Sequence, residues 1–320
     1  MKFSIGFDKR DLPRLHEYWD KIIETNKWTE AYFTKMFEEK WSKYNNIYSV
    51  AFNSWSGGAL AAMQYFNLKG KTVLCPSNTF MATPAIILHN GSNVKFVDSN
   101  KKDLCMSFKD FKTNVEKYNP AAVWVVHIGG HIAFDIEKIA EYCKKNNIVL
   151  LEDCAHAHGA FWNGKRPGEW GDAGVYSFYP TKTISTGEGG MLVSKHKKLI
   201  DFAKGYRNYG KPDFQHIGLN LRISEFTAAI GLVVVDRLEE IVNYKNEYAY
   251  KLNKIFNHRL ILPEGMRSGY YKYIVFEEIA NSTGKVYSEP CHRIMGINVN
   301  LPNTDWIANN HWCVPIYYNK

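Results

Sequence analysis

The 320-residue sequence has no Cys-x-x-Cys pair, no run of five like charges, no internal repeat and no low-complexity linker. It also has no apolar stretch near the roughly 20 residues that a membrane-spanning helix needs. Each absence excludes something. The six cysteines, at positions 75, 105, 143, 154, 291 and 313, are spaced for neither a zinc site nor a disulfide framework. Reduced thiols in a cytoplasmic protein are the expectation. The first residues, Met1 to Asp11, have no apolar core and no cleavage signature, so no secretory signal is read there. The net charge is +8, but Lys101-Lys102, Lys144-Lys145 and Lys197-Lys198 are scattered through polar segments. A nucleic-acid-binding arm is therefore not expected, and a weak positive field would suit an anionic substrate.

What is present is an alternation of short apolar runs with amphipathic stretches. Thr72 to Cys75, Val94 to Val97, Ala122 to His127 and Ile148 to Glu152 read as buried strands, each bounded by turn residues. Ile136, Ile139, Ala140 and Cys143 recur at helical spacing, with Asp135 at the N-cap position, and Ala82 to Asn90 reads as a second helix. The pattern predicts an open, mostly parallel α/β sheet with ligands at the C-terminal ends of its strands. Two further strands, Gly174 to Ser177 and Gly190 to Ser194, flank the polar loop from Phe178 to Gly189. A long helix follows from Ile223 to Phe256, and Tyr271 to Phe276 with Trp306 to Tyr318 suggest a small α+β unit. The length suits one large domain, 1–236, and a smaller one, 237–320, with a helix near Pro13 to Thr25 packing on the latter.

Three segments carry candidate chemistry. Leu151 to Ala160 places Asp153 at the end of a buried strand, where a carboxylate is costly without a cation. A pyridinium nitrogen would be one such cation. Ser177 to Lys182 puts a lysine in a Pro/Thr loop just after a strand, where burial favours the nucleophilic neutral amine. Thr186 to Gly190 follows, with glycines that permit close backbone approach to a ligand. Taken singly, Asp153 would equally be a strand-end cap, Lys182 a solvated lysine and the glycines a hairpin turn. The Asp153-Cys154-Ala155-His156-Ala157-His158 run also contains metal-competent side chains, but no second ligand cluster matches it, and no metal is expected.

Together these segments, read as EDCAHAHG and GDAGVYSFYPTKTISTGEGG, resemble the DegT/DnrJ/EryC1/StrS family of pyridoxal-phosphate (PLP) sugar aminotransferases. The resemblance runs from about Ser49 to Leu238 and more loosely to the end. It implies the fold-type I PLP-dependent transferase architecture with an abbreviated C-terminal domain. It also implies roles for individual residues. Lys182 matches the Schiff-base lysine and Asp153 the acid on the pyridine nitrogen. His156 matches a residue near the phenolic oxygen, Ser177 a phosphate-binding hydroxyl and Phe80 an aromatic stacked on the ring. Asn53 to Ala59 resembles the phosphate loop opening a helix, with Trp55 and Ser56 at its start. Gly218 to Ser224 resembles a segment whose Asn, here Asn220, reaches the phosphate of the neighbouring subunit. Glu188, Tyr179 and His292, the last in a Pro290-Cys291-His292 segment, are candidates for substrate contact.

The activity so implied is transfer of an amino group, from glutamate, to a keto-sugar that is nucleotide-linked, by a homodimer with shared sites. Sugar dehydratases of the family carry His where this chain has Lys182. A degenerate, non-catalytic sugar-binding member would be expected to lack Lys182 or Asp153, and both are present.

Overall fold

Seven five-residue strands form one sheet in the computed structural model, which describes residues 7–318. In chain order they are β1 (Tyr48–Phe52), β2 (Thr72–Pro76), β3 (Asn93–Val97), β4 (Ala122–Val126), β5 (Val149–Asp153), β6 (Ala173–Ser177) and β7 (Gly190–Ser194). Their spatial order is β1-β7-β6-β5-β4-β2-β3. β2 to β6 run parallel, whereas β7 is antiparallel to both neighbours. The reason lies in the connections. The 178–189 loop is folded back on itself by the Phe178–Gly189 and Thr186–Phe178 backbone bonds, and so returns the chain beside β6 in the opposite direction.

Helices cover both faces: α1 (Leu12–Thr25), α2 (Tyr32–Asn45), α3 (Trp55–Tyr65), α4 (Ala82–His89), α5 (Phe108–Tyr118), α6 (Ile136–Asn146), α7 (Lys197–Tyr206) and α8 (Glu225–Leu252). The strands' two-residue alternation sorts the core. Val73, Trp124 and Leu192 face α3, α4 and α7, while their neighbours Leu74, Val123 and Val193 face the opposite layer. That layer is α5 and α6 over one half of the sheet, and α1, α2 and α8 over the other. Beyond α8 come β8 (Tyr273–Val275), α9 (Cys291–Ile294), α10 (Pro302–Asn309) and β9 (Trp312–Val314), with β8 and β9 antiparallel. Among the described residues no helix is long and apolar enough to cross a membrane.

Two expectations meet details that sequence patterns do not carry. Asp135 does sit at the N-cap of α6 but makes no capping bond there. Its carboxylate instead accepts the Phe108 amide and the Lys138 ammonium. The division at 236/237 falls inside α8, which is unbroken for 28 residues. α1 lies against this helix: Leu15 and Ile22 share a core with Phe33, Leu232 and Leu238, and Arg14 pairs with Asp236 at 2.7 Å.

One acid joins two helix starts. Glu225, in the first turn of α8, is buried and accepts the amides of Ala31 (3.0 Å), Phe33 (2.6 Å) and Thr34 (3.1 Å), as well as the Thr34 hydroxyl. These amides open α2, where a helix has no internal acceptors for its first N–H groups and where a negative charge is favoured. Glu225→Ala would strand them. Urea unfolding is expected to show a loss of about 2–4 kcal/mol from these unmade bonds, and wild-type stability would show that water replaces the carboxylate.

Candidate active site

Asp153 ends β5, and the first turn of α4 closes over it. The Thr83 hydroxyl donates to its Oδ2 and the Ala155 amide to its Oδ1, each at 3.0 Å. Thr83 is in turn bonded to Thr79 at 3.0 Å. Burial pushes the Asp153 carboxyl above its ordinary range, opposed by the Ala155 amide, the Lys182 charge and the Thr83 hydroxyl. Glu152, one residue earlier, points to the other face. It accepts from Gly168, Trp170 and Gly171 amides at 2.6–2.9 Å and contacts His127 Nε2 at 2.9 Å. Sequence reasoning singled out only Asp153. The alternation of a strand was the available signal that two adjacent acids would serve opposite faces.

Lys182 stands in the 178–189 loop, which is closed by Phe178 N–H to Gly189 O (2.9 Å) and Thr186 N–H to Phe178 O (3.0 Å). At the loop's end a Cβ on Gly190 would stand 2.3 Å from the Ser54 carbonyl oxygen, so glycine is required where β7 meets the start of α3. The Lys182 ammonium lies 5.1 Å from the Tyr271 ring centroid. Burial lowers its pKa to about 8; Asp153 opposes this shift and Lys272 adds to it.

His156 completes the group. Its ring stacks on Tyr271, with centroids 4.0 Å apart, and on Tyr287 at 5.9 Å. Its Nδ1 is buried with no hydrogen-bond partner among the described residues, and burial keeps the imidazole well below its usual pKa, hence neutral. Tyr271 and Tyr287 went unnoticed in the sequence because nothing in their spacing sets them apart from other aromatics. Tyr271 also donates to the Thr181 hydroxyl at 3.2 Å. Its approach depends on Gly130, at φ +107°, where a Cβ would stand 2.4 Å from the Tyr271 nitrogen.

The remaining candidates separate. Ser177 lies at the end of β6, its hydroxyl accepting the Tyr179 amide at 3.3 Å. Ser54 caps α3 by accepting from the Gly57 amide, and Ser56 is exposed in the first turn. The Trp55 indole is buried, donates to the Val175 carbonyl at 3.1 Å and packs on Trp124. Only its backbone amide is left for a phosphate, because a side chain that large is stabilised more by the core than by water. Phe80 is exposed on the loop after β2. Tyr179 and Glu188 are on the Lys182 loop.

His292, a candidate for substrate contact, is tied to the loop after β2. It is buried, its Nδ1 2.8 Å from the Ser77 hydroxyl, which also accepts the His292 amide. Asn220 is exposed, and the next residue, Leu221, accepts the Asn53 amide of its own chain at 2.9 Å.

The Asp153 to His158 run does not gather into one set of ligands. Cys154 lies among the α8-side core residues, and His158 is enclosed by Trp41, Tyr176 and Phe178, away from the His156 stack. Two other groups do bring ligand atoms together: Asp103, Cys105 and His131, and His127, Glu152 and Cys154. Their lone pairs are engaged. His127 Nδ1 accepts the Ala133 amide, and Asp103 accepts the Cys105 and Phe134 amides.

The residues present fit PLP. Asp153 suits a protonated ring nitrogen, the orphaned Nδ1 of His156 suits an oxygen at the ring edge, and the α3 start with Ser177 suits a phosphate.

Comparison with known proteins agrees. A solved DegT DnrJ EryC1 StrS aminotransferase from Brucella abortus superposes with a TM-score of 0.91 at 22% identity, covering 99% of this chain and 94% of its own. GDP-perosamine synthase of Escherichia coli O157:H7 is 31% identical over 248 residues, 74% of this chain and 67% of that protein. The UDP-4-amino-4,6-dideoxy-N-acetyl-beta-L-altrosamine transaminase of Campylobacter jejuni subsp. jejuni serotype O:23/36 is 28% identical over 285 residues, 84% of this chain and 75% of that one. With the family profile matched over residues 12–319, the chain belongs to the DegT/DnrJ/EryC1/StrS aminotransferase family.

Proposed function

We propose that the chain is a PLP-dependent aminotransferase that moves an amino group from glutamate onto a nucleotide-linked keto-sugar, working as a homodimer. The observation that carries this is the convergence of a buried acid, Asp153, and a lysine of lowered pKa, Lys182, around a neutral histidine with an unpaired nitrogen. The two relatives named above act, by their names, in the making of GDP- and UDP-linked amino sugars, which supports a substrate of that class.

Bound PLP supplies an aldehyde for a primary amine and a ring that accepts the electron pair left when a proton departs from the neighbouring carbon. The chain's residues do the rest. Asp153 would hold a proton at the ring nitrogen, and the Thr83 hydroxyl and Ala155 amide favour its ionised form against the cost of burial. The α3 amides and Ser177 bind the phosphate. Lys182 Nζ would hold the cofactor's aldehyde carbon and, as a neutral amine, would serve as the base that takes the proton from the donor's α-carbon. Tyr271 and Tyr287 hold the His156 ring and narrow the access of water.

A partner subunit is supported by an unusually apolar exposed loop, with Tyr209, Phe214, Ile217 and Leu219 next to Asn220. In a twofold dimer each loop would cover its partner, bringing Asn220 toward the partner's phosphate. The large and small units, 1–236 and 237–320, then share α8 as their common spine.

Lys182→Ala tests the reading directly. Amino transfer from glutamate should fall by at least about a hundredfold, the usual worth of a positioned acid–base group, and the borohydride-fixed label on the cofactor lysine should vanish. Undiminished turnover would end the proposal. The lowered pKa makes a second prediction. The reactive neutral amine predominates above the folded-state value of about 8. Capture of PLP by the apoenzyme should therefore accelerate with pH and level off above about pH 8, whereas an unperturbed lysine would still be accelerating about two units higher.

Mixing Lys182→Ala with Asn220→Asp examines the dimer. If Asn220 serves the partner, one pocket of each hybrid collects both defects and the other is intact, so about a quarter of wild-type activity should return after random exchange. Exchange proven by mass measurement without recovered activity would place Asn220 in its own subunit's site.

A further inference from the structure

Lys245, on α8, is a buried lysine without an acid. It is 7% exposed, and its ammonium makes one hydrogen bond, to the Tyr270 carbonyl at 3.1 Å. Lys272, partly buried at the start of β8, has its ammonium 5.3 Å from the Tyr271 ring. Among the described residues neither has a carboxylate within 4.0 Å. Both line a cavity of about 230 Å³ that also includes Thr181, Lys182 and Tyr271, together with the 314–318 segment. The acids in its wall, Asp8 and Asp11, are already answered by Arg10 and Arg237. Lys182 is faced by Asp153, but Lys245 and Lys272 share this small cavity with no acid among the described residues left to balance them.

A buried ammonium is costly unless a negative charge compensates it. The strain is visible at Lys245, whose pKa is lowered to about 8 by burial and by Lys272. A chain that has no structural use for the charge could place a Leu or Met on α8 at this point. The unmatched charge lies next to the lysine at which the substrates react, so a substrate can supply the counterion.

We propose that Lys245 and Lys272 form an oxyanion subsite that takes the charged end of a substrate, opposite the end that reacts at Lys182. The shared chemistry has two sources: the distal carboxylate of a dicarboxylic amino donor, and the diphosphate of a nucleotide-linked sugar. A cavity of this size accepts either group but not a whole nucleotide, since drug-sized ligands occupy at least about 300 Å³. The proposal rests on the aminotransferase reading for the identity of the reacting end, but the charge argument does not.

The test uses PLP-loaded enzyme and two probes that undergo no amino transfer, glutarate and inorganic pyrophosphate, titrated by calorimetry. Lys272→Met and Lys245→Met should each weaken one probe on the order of tenfold or more, as expected when one partner of a buried charge pair is removed. Lys272→Arg, which keeps the charge, should stay near wild type. The probe affected identifies the source. Should Lys245→Met fail to fold, Lys272→Met, at a partly exposed position, decides alone. Equal binding of both probes by wild type and Lys272→Met overturns the proposal, as does failure of wild type to bind either. Loss of PLP itself from the Met variants also overturns it, by assigning the lysines to the cofactor's phosphate. Amino transfer from glutamate by wild type is read separately, so failure of the aminotransferase reading leaves the binding result intact.

Discussion

A carboxylate held out of water at the end of β5 sets the terms for everything around it. Asp153 is buried, and burial disfavours its charge. Two donors, from Thr83 and Ala155, offset part of that cost and aim the remaining lone pairs. The rest of the demand falls on a cation that the chain does not place within ion-pairing distance. The first turn of α4 supplies one of these donors and the turn after β5 the other, and Lys182 approaches from the connection after β6 without closing a salt bridge. A direct Asp153–Lys182 pair would hold the lysine protonated and leave no room for a ring between them.

The neighbouring acid shows the other solution. Glu152 is equally buried, but its oxygens are occupied by three backbone amides and His127. It fastens the 168–171 loop to the sheet and has no capacity left for a ligand. Two adjacent acids on one strand thus divide into a structural tie and an open site, and the difference is the count of donors that each meets. The same count separates the lysines. Most pair with acids or with solvent, whereas Lys182, Lys245 and Lys272 meet mainly carbonyl and aromatic partners in one cavity.

Much of this was legible in the residue order. Strands β2 to β5 announce themselves because buried parallel strands are short unbroken apolar runs, and Asp153 and Lys182 because polar groups directly after such runs emerge on the ligand-binding edge. β1, α2, α5 and α7 were not picked out. Tyr48–Phe52 is an edge strand whose first residue is exposed, and the other three mix charged and apolar residues without boundaries clear enough to separate them from loops. Trp55 and His292 were placed by motif position. Their side chains follow packing: one fills the core against Trp124, and the other is tied to Ser77.

The sequence by itself determined the α/β alternation, the order of strands and loops, and the chemistry of the acid and the lysine, because these depend on periodicity and on residues close along the chain. Only the tertiary structure decided which face each acid serves, that β7 runs against its neighbours, that Tyr271 and Tyr287 enclose His156, and that Lys245 and Lys272 join Lys182 at one cavity. Residues 182, 245 and 272 are brought together by a loop, the spine of α8 and the start of β8. Such contacts are fixed by how helices and sheet pack, which no local pattern encodes.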